Sequence, residues 1–73
     1  MKINIKIIFP NQNVYNKTYK IDNEKDYLKI GRRFAHHIIY NVFIKENPNS
    51  SYSDFLDYCG ECDVQIKKVF DFS

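Results

Sequence analysis

The sequence predicts an α+β fold of order ββα(α)β. It has a three-stranded antiparallel sheet in order 2-1-3, one long amphipathic helix on one face and a short second helix. Three observations lead there. Residues 2–9 alternate strictly, with Ile3, Ile5, Ile7 and Phe9 on one side and Lys2, Asn4, Lys6 and Ile8 on the other. Residues 27–42 instead place apolar side chains at helical spacing. The core must also be built from β-branched and aromatic residues. There are six Tyr and six Phe, but the only leucines are Leu28 and Leu56 and the only alanine is Ala35.

Each element follows in order. Residues 2–9 form a half-buried first strand, and Pro10-Asn11-Gln12-Asn13 supplies turn chemistry. Residues 14–21 form a second strand, completing a hairpin. The preferred register turns Tyr15, Lys17, Tyr19 and Ile21 toward the helix. The reverse register would set Tyr15, Lys17 and Tyr19 beside Lys2 and Lys6 on an open face, a platform for stacking single-stranded nucleic acid.

Asp22 or Asn23 is placed to cap the long helix, with Glu24 and Asp26 in its first turn and the end near Lys45, before Asn47-Pro48-Asn49-Ser50. Its apolar face is read as Tyr27, Phe34, Ala35, Ile38 and Val42, with Leu28 and Ile39 beside them. Phe34, Ile38 and Val42 are expected against Ile3, Ile5 and Ile7. A short helix over residues 51–59 follows, opened by Ser51 with Asp54 and stopped by Gly60. Residues 64–72 return as the third strand, antiparallel to the first. No repeat or linker divides the chain, so residues 1–73 make one small domain.

Composition weakens several classes of function. The net charge of +2 is low for a dedicated nucleic-acid binder and far from the acidity of a DNA mimic. No apolar run reaches membrane-spanning length, and the alternating start is unlike a signal peptide, so a cytoplasmic protein with reduced cysteines is expected. Ile, Asn, Lys, Tyr and Phe supply more than half the chain, pointing to an AT-rich coding sequence.

Cys59-Gly60-Glu61-Cys62 is the one motif-like string. Redox catalysis by such a pair needs a low thiol pKa, usually set by a helix N-terminus. Here Cys59 falls at a helix C-terminus among Asp57, Glu61 and Asp63, all of which disfavour a thiolate. Zinc needs four ligands, and the histidines that would complete a set lie more than twenty residues upstream on adjacent helical positions. Neither a metal nor another cofactor is called for. Gly-rich phosphate loops and hydrolase motifs are absent, and Asp54 and Asp57 suit capping and solvation better than acid–base work. An enzyme is not expected.

The opposite side of the long helix carries the candidate partner-binding surface: Lys29, Arg32, Arg33, His36, His37 and Tyr40. Lysine would serve a merely solvated face equally well. Arg, His and Tyr are instead residues of contact surfaces. By elimination, the expected function is a non-enzymatic protein-binding module that regulates or inhibits a host protein with an acidic surface. Its expected source is a phage or mobile element of a low-GC organism, with an anti-defence protein as one example. The second expectation is a nucleic-acid binder using the basic helix face or the open sheet face. The third is an assembly protein acting as a homo-oligomer, such as a homodimer, through its sheet edges.

Overall fold

In the computed structural model, residues 1–70 are described. The order is β1 (Lys2–Ile8), β2 (Val14–Lys20), α1 (Tyr27–Glu46), α2 (Tyr52–Glu61) and β3 (Asp63–Val69). The three strands are antiparallel in the order β2-β1-β3, as the sequence implies. The end of the expected third strand, residues 71–72, lies outside the described residues.

Register settles the two faces of the sheet. Ile3 pairs with Tyr19, Ile5 with Lys17 and Ile7 with Tyr15, so β2 turns its tyrosines to the same side as the β1 isoleucines. On the other flank Ile5 pairs with Ile66 and Ile7 with Val64. The aromatic platform of the reverse register is therefore excluded. Among the described residues the opposite face carries polar side chains, with Ile8, Val14 and Val69 toward its ends. In the hairpin turn, the Phe9 amide donates to the Asn13 carbonyl and the Gln12 amide to the Phe9 carbonyl. Gln12 takes a positive φ of 75° at the tip.

The core is Ile3, Ile5, Ile7 and Phe9 of the first strand and its continuation, with Ile21, Ala35, Ile39, Phe43 and Phe55. The seating of α1 corrects the sequence reading. Its buried residues are Gly31, Ala35, Ile39 and Phe43, whereas Phe34 is 38% exposed and Ile38 and Val42 are half-buried. Ala35 is buried as expected, and Ile39, placed beside the stripe, lies at its centre. Phe34, Ile38 and Val42 give way to Gly31 and Phe43, so the buried face is turned by less than the roughly 100° of one residue. The cause is size. α1 packs on β1 and β3, and at the crossing a Cβ on Gly31 would lie 2.7 Å from Ile66 Cγ2. Only the smallest side chains, Gly31 and Ala35, fit that approach. Phe34 is displaced toward β2, where its ring lies 5.3 Å from that of Tyr19.

Two helix ends also differ from expectation. Residues 22–26 form a turn rather than the first helical turn: the Asn23 Oδ1 accepts from the Lys25 amide, and Asp26 holds the N-cap position without a side-chain cap bond. Asn can offer its neighbouring backbone this local alternative to a helix. Gly60 is not a stop either; α2 continues to Glu61 and Cys62 is its C-cap, with no glycine at positive φ. The capping box of Ser51 and Asp54 forms as anticipated, with two bonds of 3.2 Å.

Candidate functional site

All six residues of the candidate surface are exposed, but they do not share one face of α1. Residues 32 and 36 lie on the flank of α1 that faces β3 and α2, while Lys29 and Arg33 lie further round on the outer side. His37 turns the other way and borders an apolar depression with Tyr19, Phe34 and Ile38. The reason lies in the seating just described. Turning the buried face carries positions 32 and 36 from the outer surface to its flank.

His36 and Tyr40 have a structural duty that the sequence reading missed. Both rings meet Phe55 edge-on, with centroids 4.9 and 5.2 Å away and planes near perpendicular. Phe55 is 1% exposed and also packs near Phe43, at 6.0 Å. These contacts dock α2 onto α1. A signal was present in the sequence, because a second helix bearing Phe55, Tyr58, Cys59 and Cys62 at spacings of three and four must bury that side against something.

The docking leaves a groove of about 360 Å³ between α1 and β3, closed at one end by α2. Leu28, Arg32, Ala35, His36 and Ile39 of α1 line it together with Val64 and Ile66 of β3 and Cys59 of α2. Leu28, Arg32 and His36 also border an open depression on the outer side of α1, together with Lys25, Asp26, Lys29 and Arg33, four cationic side chains to one carboxylate when His36 is neutral. An apolar trough thus runs beside a cationic rim. Beside it lies β3, an outer strand of the sheet.

Cys59 and Cys62 are half-buried thiols at the end of this region. Burial pushes both above the usual thiol range, and Cys62 rises to about 11 because the charges of Cys59 and Glu61 add to its desolvation. The Cys62 thiol donates to the Tyr58 carbonyl at 3.4 Å. A neutral thiol is a poor nucleophile and a poor metal ligand. Among the described residues no group of three or more His, Cys, Asp or Glu converges to hold a metal. On the β2 side, Tyr15 and Tyr19 hydrogen-bond through their hydroxyls, and burial together with that bond raises Tyr15 to about 12.

Fold and site together define a small α+β domain with an apolar groove and a basic rim. Comparison with protein-family models, curated proteins and solved structures gave no match. Among the described residues, no helix is long and apolar enough to cross a membrane.

Proposed function

We propose that this chain is a non-enzymatic protein-binding module that captures an acidic, partly apolar segment of a partner protein in the groove between α1 and β3. One observation carries the reading: Arg32 and His36 border the apolar groove and the open basic depression at once. A segment lying there would bury apolar side chains over Ala35 and Ile39 while its carboxylates met Arg32, Arg33 and Lys29. Arginine suits that role because its planar fork pairs carboxylates bidentately. The outer edge of β3 suits an extended segment, which gains main-chain hydrogen bonds by adding to a sheet edge.

The biological setting we propose is regulation or inhibition of a host protein by a product of a phage or mobile element of a low-GC organism, acting in the host cytoplasm. Its support is the AT-rich residue usage. Selection of random 12-residue peptides on the immobilised protein tests the binding reading. Enriched peptides should combine Asp or Glu with apolar residues and should bind Arg32→Glu/Arg33→Glu at least tenfold more weakly. Peptides with no acidic enrichment, or peptides that bind the charge-reversed protein equally well, would refute it.

A further inference from the structure

The helix-free face of the sheet has a charge arrangement that the groove does not explain. Lys2 pairs in register with Lys20 across β1 and β2. Lys67 pairs with Asn4, which sets it diagonally beside both Lys2 and Lys6. Four lysines therefore share one face of a three-stranded sheet, and Lys20 and Lys67 are exposed. Like charges placed opposite one another destabilise a sheet.

Among the described residues, the acidic side chains other than Asp63 lie away from this face. Asp22, Glu24 and Asp26 precede α1, and Asp54, Asp57 and Glu61 belong to α2. Glu24 pairs with Lys68, which points to the helix side, at 3.5 Å. Asp63 shares the lysine face but stands at its far end, accepting from the Gln65 amide at 3.2 Å. Lys6, Lys20 and Lys67 thus concentrate positive charge on this face that the overall balance of +2 conceals.

The centre of this face is polar and can donate. Asn4 Nδ2 donates to Asn16 Oδ1 at 2.7 Å and to Thr18 Oγ1 at 3.3 Å. Each oxygen thereby accepts one bond, and the Asn16 amide hydrogens and the Thr18 hydroxyl hydrogen remain able to donate outward, beside the Asn4 Oδ1 acceptor. Cationic side chains around a patch of outward donors match phosphate oxygens. Among the described strand residues no aromatic side chain occupies this face, since Tyr15 and Tyr19 turn to the helix side. Base stacking, the main attraction for single strands, is therefore missing. The middle of the face also lacks the apolar side chains with which a surface helix or loop enters a lipid interface.

We propose that this outer sheet face binds the phosphate backbone of duplex nucleic acid without sequence preference. The proposal goes beyond the groove reading and uses different residues, so either can fail alone.

Fluorescence anisotropy with a labelled 20-base-pair duplex of mixed sequence is the test. If Lys6, Lys20 and Lys67 each neutralise about one phosphate, log K against log salt should fall with a slope near −3, at about −0.9 per contact. Raising salt from 50 to 200 mM should then weaken binding about 40-fold. Lys6→Gln/Lys20→Gln/Lys67→Gln should lose more than tenfold in affinity at 50 mM salt and flatten the slope. That variant should keep the parent's circular dichroism and melting temperature, because removing like charges costs the fold nothing. Arg32→Glu/Arg33→Glu should bind within twofold of the parent. No saturable binding at 50 mM salt would overturn the proposal. So would a triple variant that binds like the parent, or loss of binding in the arginine variant alone. Tighter binding to an unpaired strand of the same sequence, or to vesicles containing phosphatidylserine, would overturn it in favour of those ligands.

Discussion

Gly31→Ala probes the close approach of α1 to β3. On an isolated helix the change would stabilise by about 1 kcal/mol, because alanine holds helical conformation better than glycine. Here the new methyl would lie 2.7 Å from Ile66 Cγ2, 3.0 Å from Cδ1 and 3.2 Å from Cγ1, so α1 or Ile66 must move. Overpacking of this kind costs about 1–3 kcal/mol, which cancels or exceeds the propensity gain. The account therefore expects a net change between about zero and 2 kcal/mol destabilising. In an Ile66→Ala background the obstruction is gone, and the same substitution should stabilise by about 1 kcal/mol. Urea unfolding of the four proteins closes the cycle, with an expected coupling of about 1–3 kcal/mol. If Gly31→Ala stabilised equally in both backgrounds, the helix would not be seated on β3 through Gly31.

Other expectations follow from the same geometry. Ile39→Ala should cost about 2–5 kcal/mol, while Phe34→Ala should cost clearly less, because Ile39 is fully buried and Phe34 is 38% exposed; equal melting shifts would contradict the seating. Phe55→Ala should cost about 3–5 kcal/mol and release α2, seen as faster amide exchange over residues 52–61 than over α1. Thiol alkylation at pH 8 should run at least tenfold slower in native protein than in urea, since burial holds Cys62 up to about 11. Parity of the two rates would refute that environment. Because the folded thiols and Tyr15 keep their protons at pH values where the unfolded groups ionise, the unfolded state binds fewer protons above about pH 9. Stability should then fall as pH rises from about 9 to 11, measured by urea midpoints.

The sheet was legible because alternation with period two leaves one choice of face. Ile3, Ile5 and Ile7 allowed no other reading, and the more apolar set of β2 followed them. The helix was legible in existence and length but not in rotation. Stripes at 34, 38, 42 and at 35, 39, 43 are both mostly apolar, and the choice between them rests on fit at the crossing with Ile66. Side-chain hydrophobicity favours Phe34, and close packing favours Gly31 and Ala35. Contact between elements distant in the chain decided it, and no local pattern records that contact. The candidate surface inherited the same uncertainty. Arg32 and His36 moved from an outer face to the lining of a groove, and His36 and Tyr40 became the seat of Phe55. The lysine face was partly visible in Lys2 and Lys6, but Lys20 and Lys67 joined it only through strand pairing.

The most direct measurement of the binding account is a nitrogen-15 amide chemical-shift titration with an acidic–apolar peptide selected on the immobilised protein. The account predicts that the largest shifts cluster at Leu28, Arg32, Ala35, His36 and Ile39 of α1 and at Val64–Ile66 of β3. Signals from β2 and from the lysine face should stay nearly still. Shifts centred on Tyr19, Phe34 and Ile38, or on Lys6 and Lys67, with Arg32 and Ile66 unmoved, would contradict it.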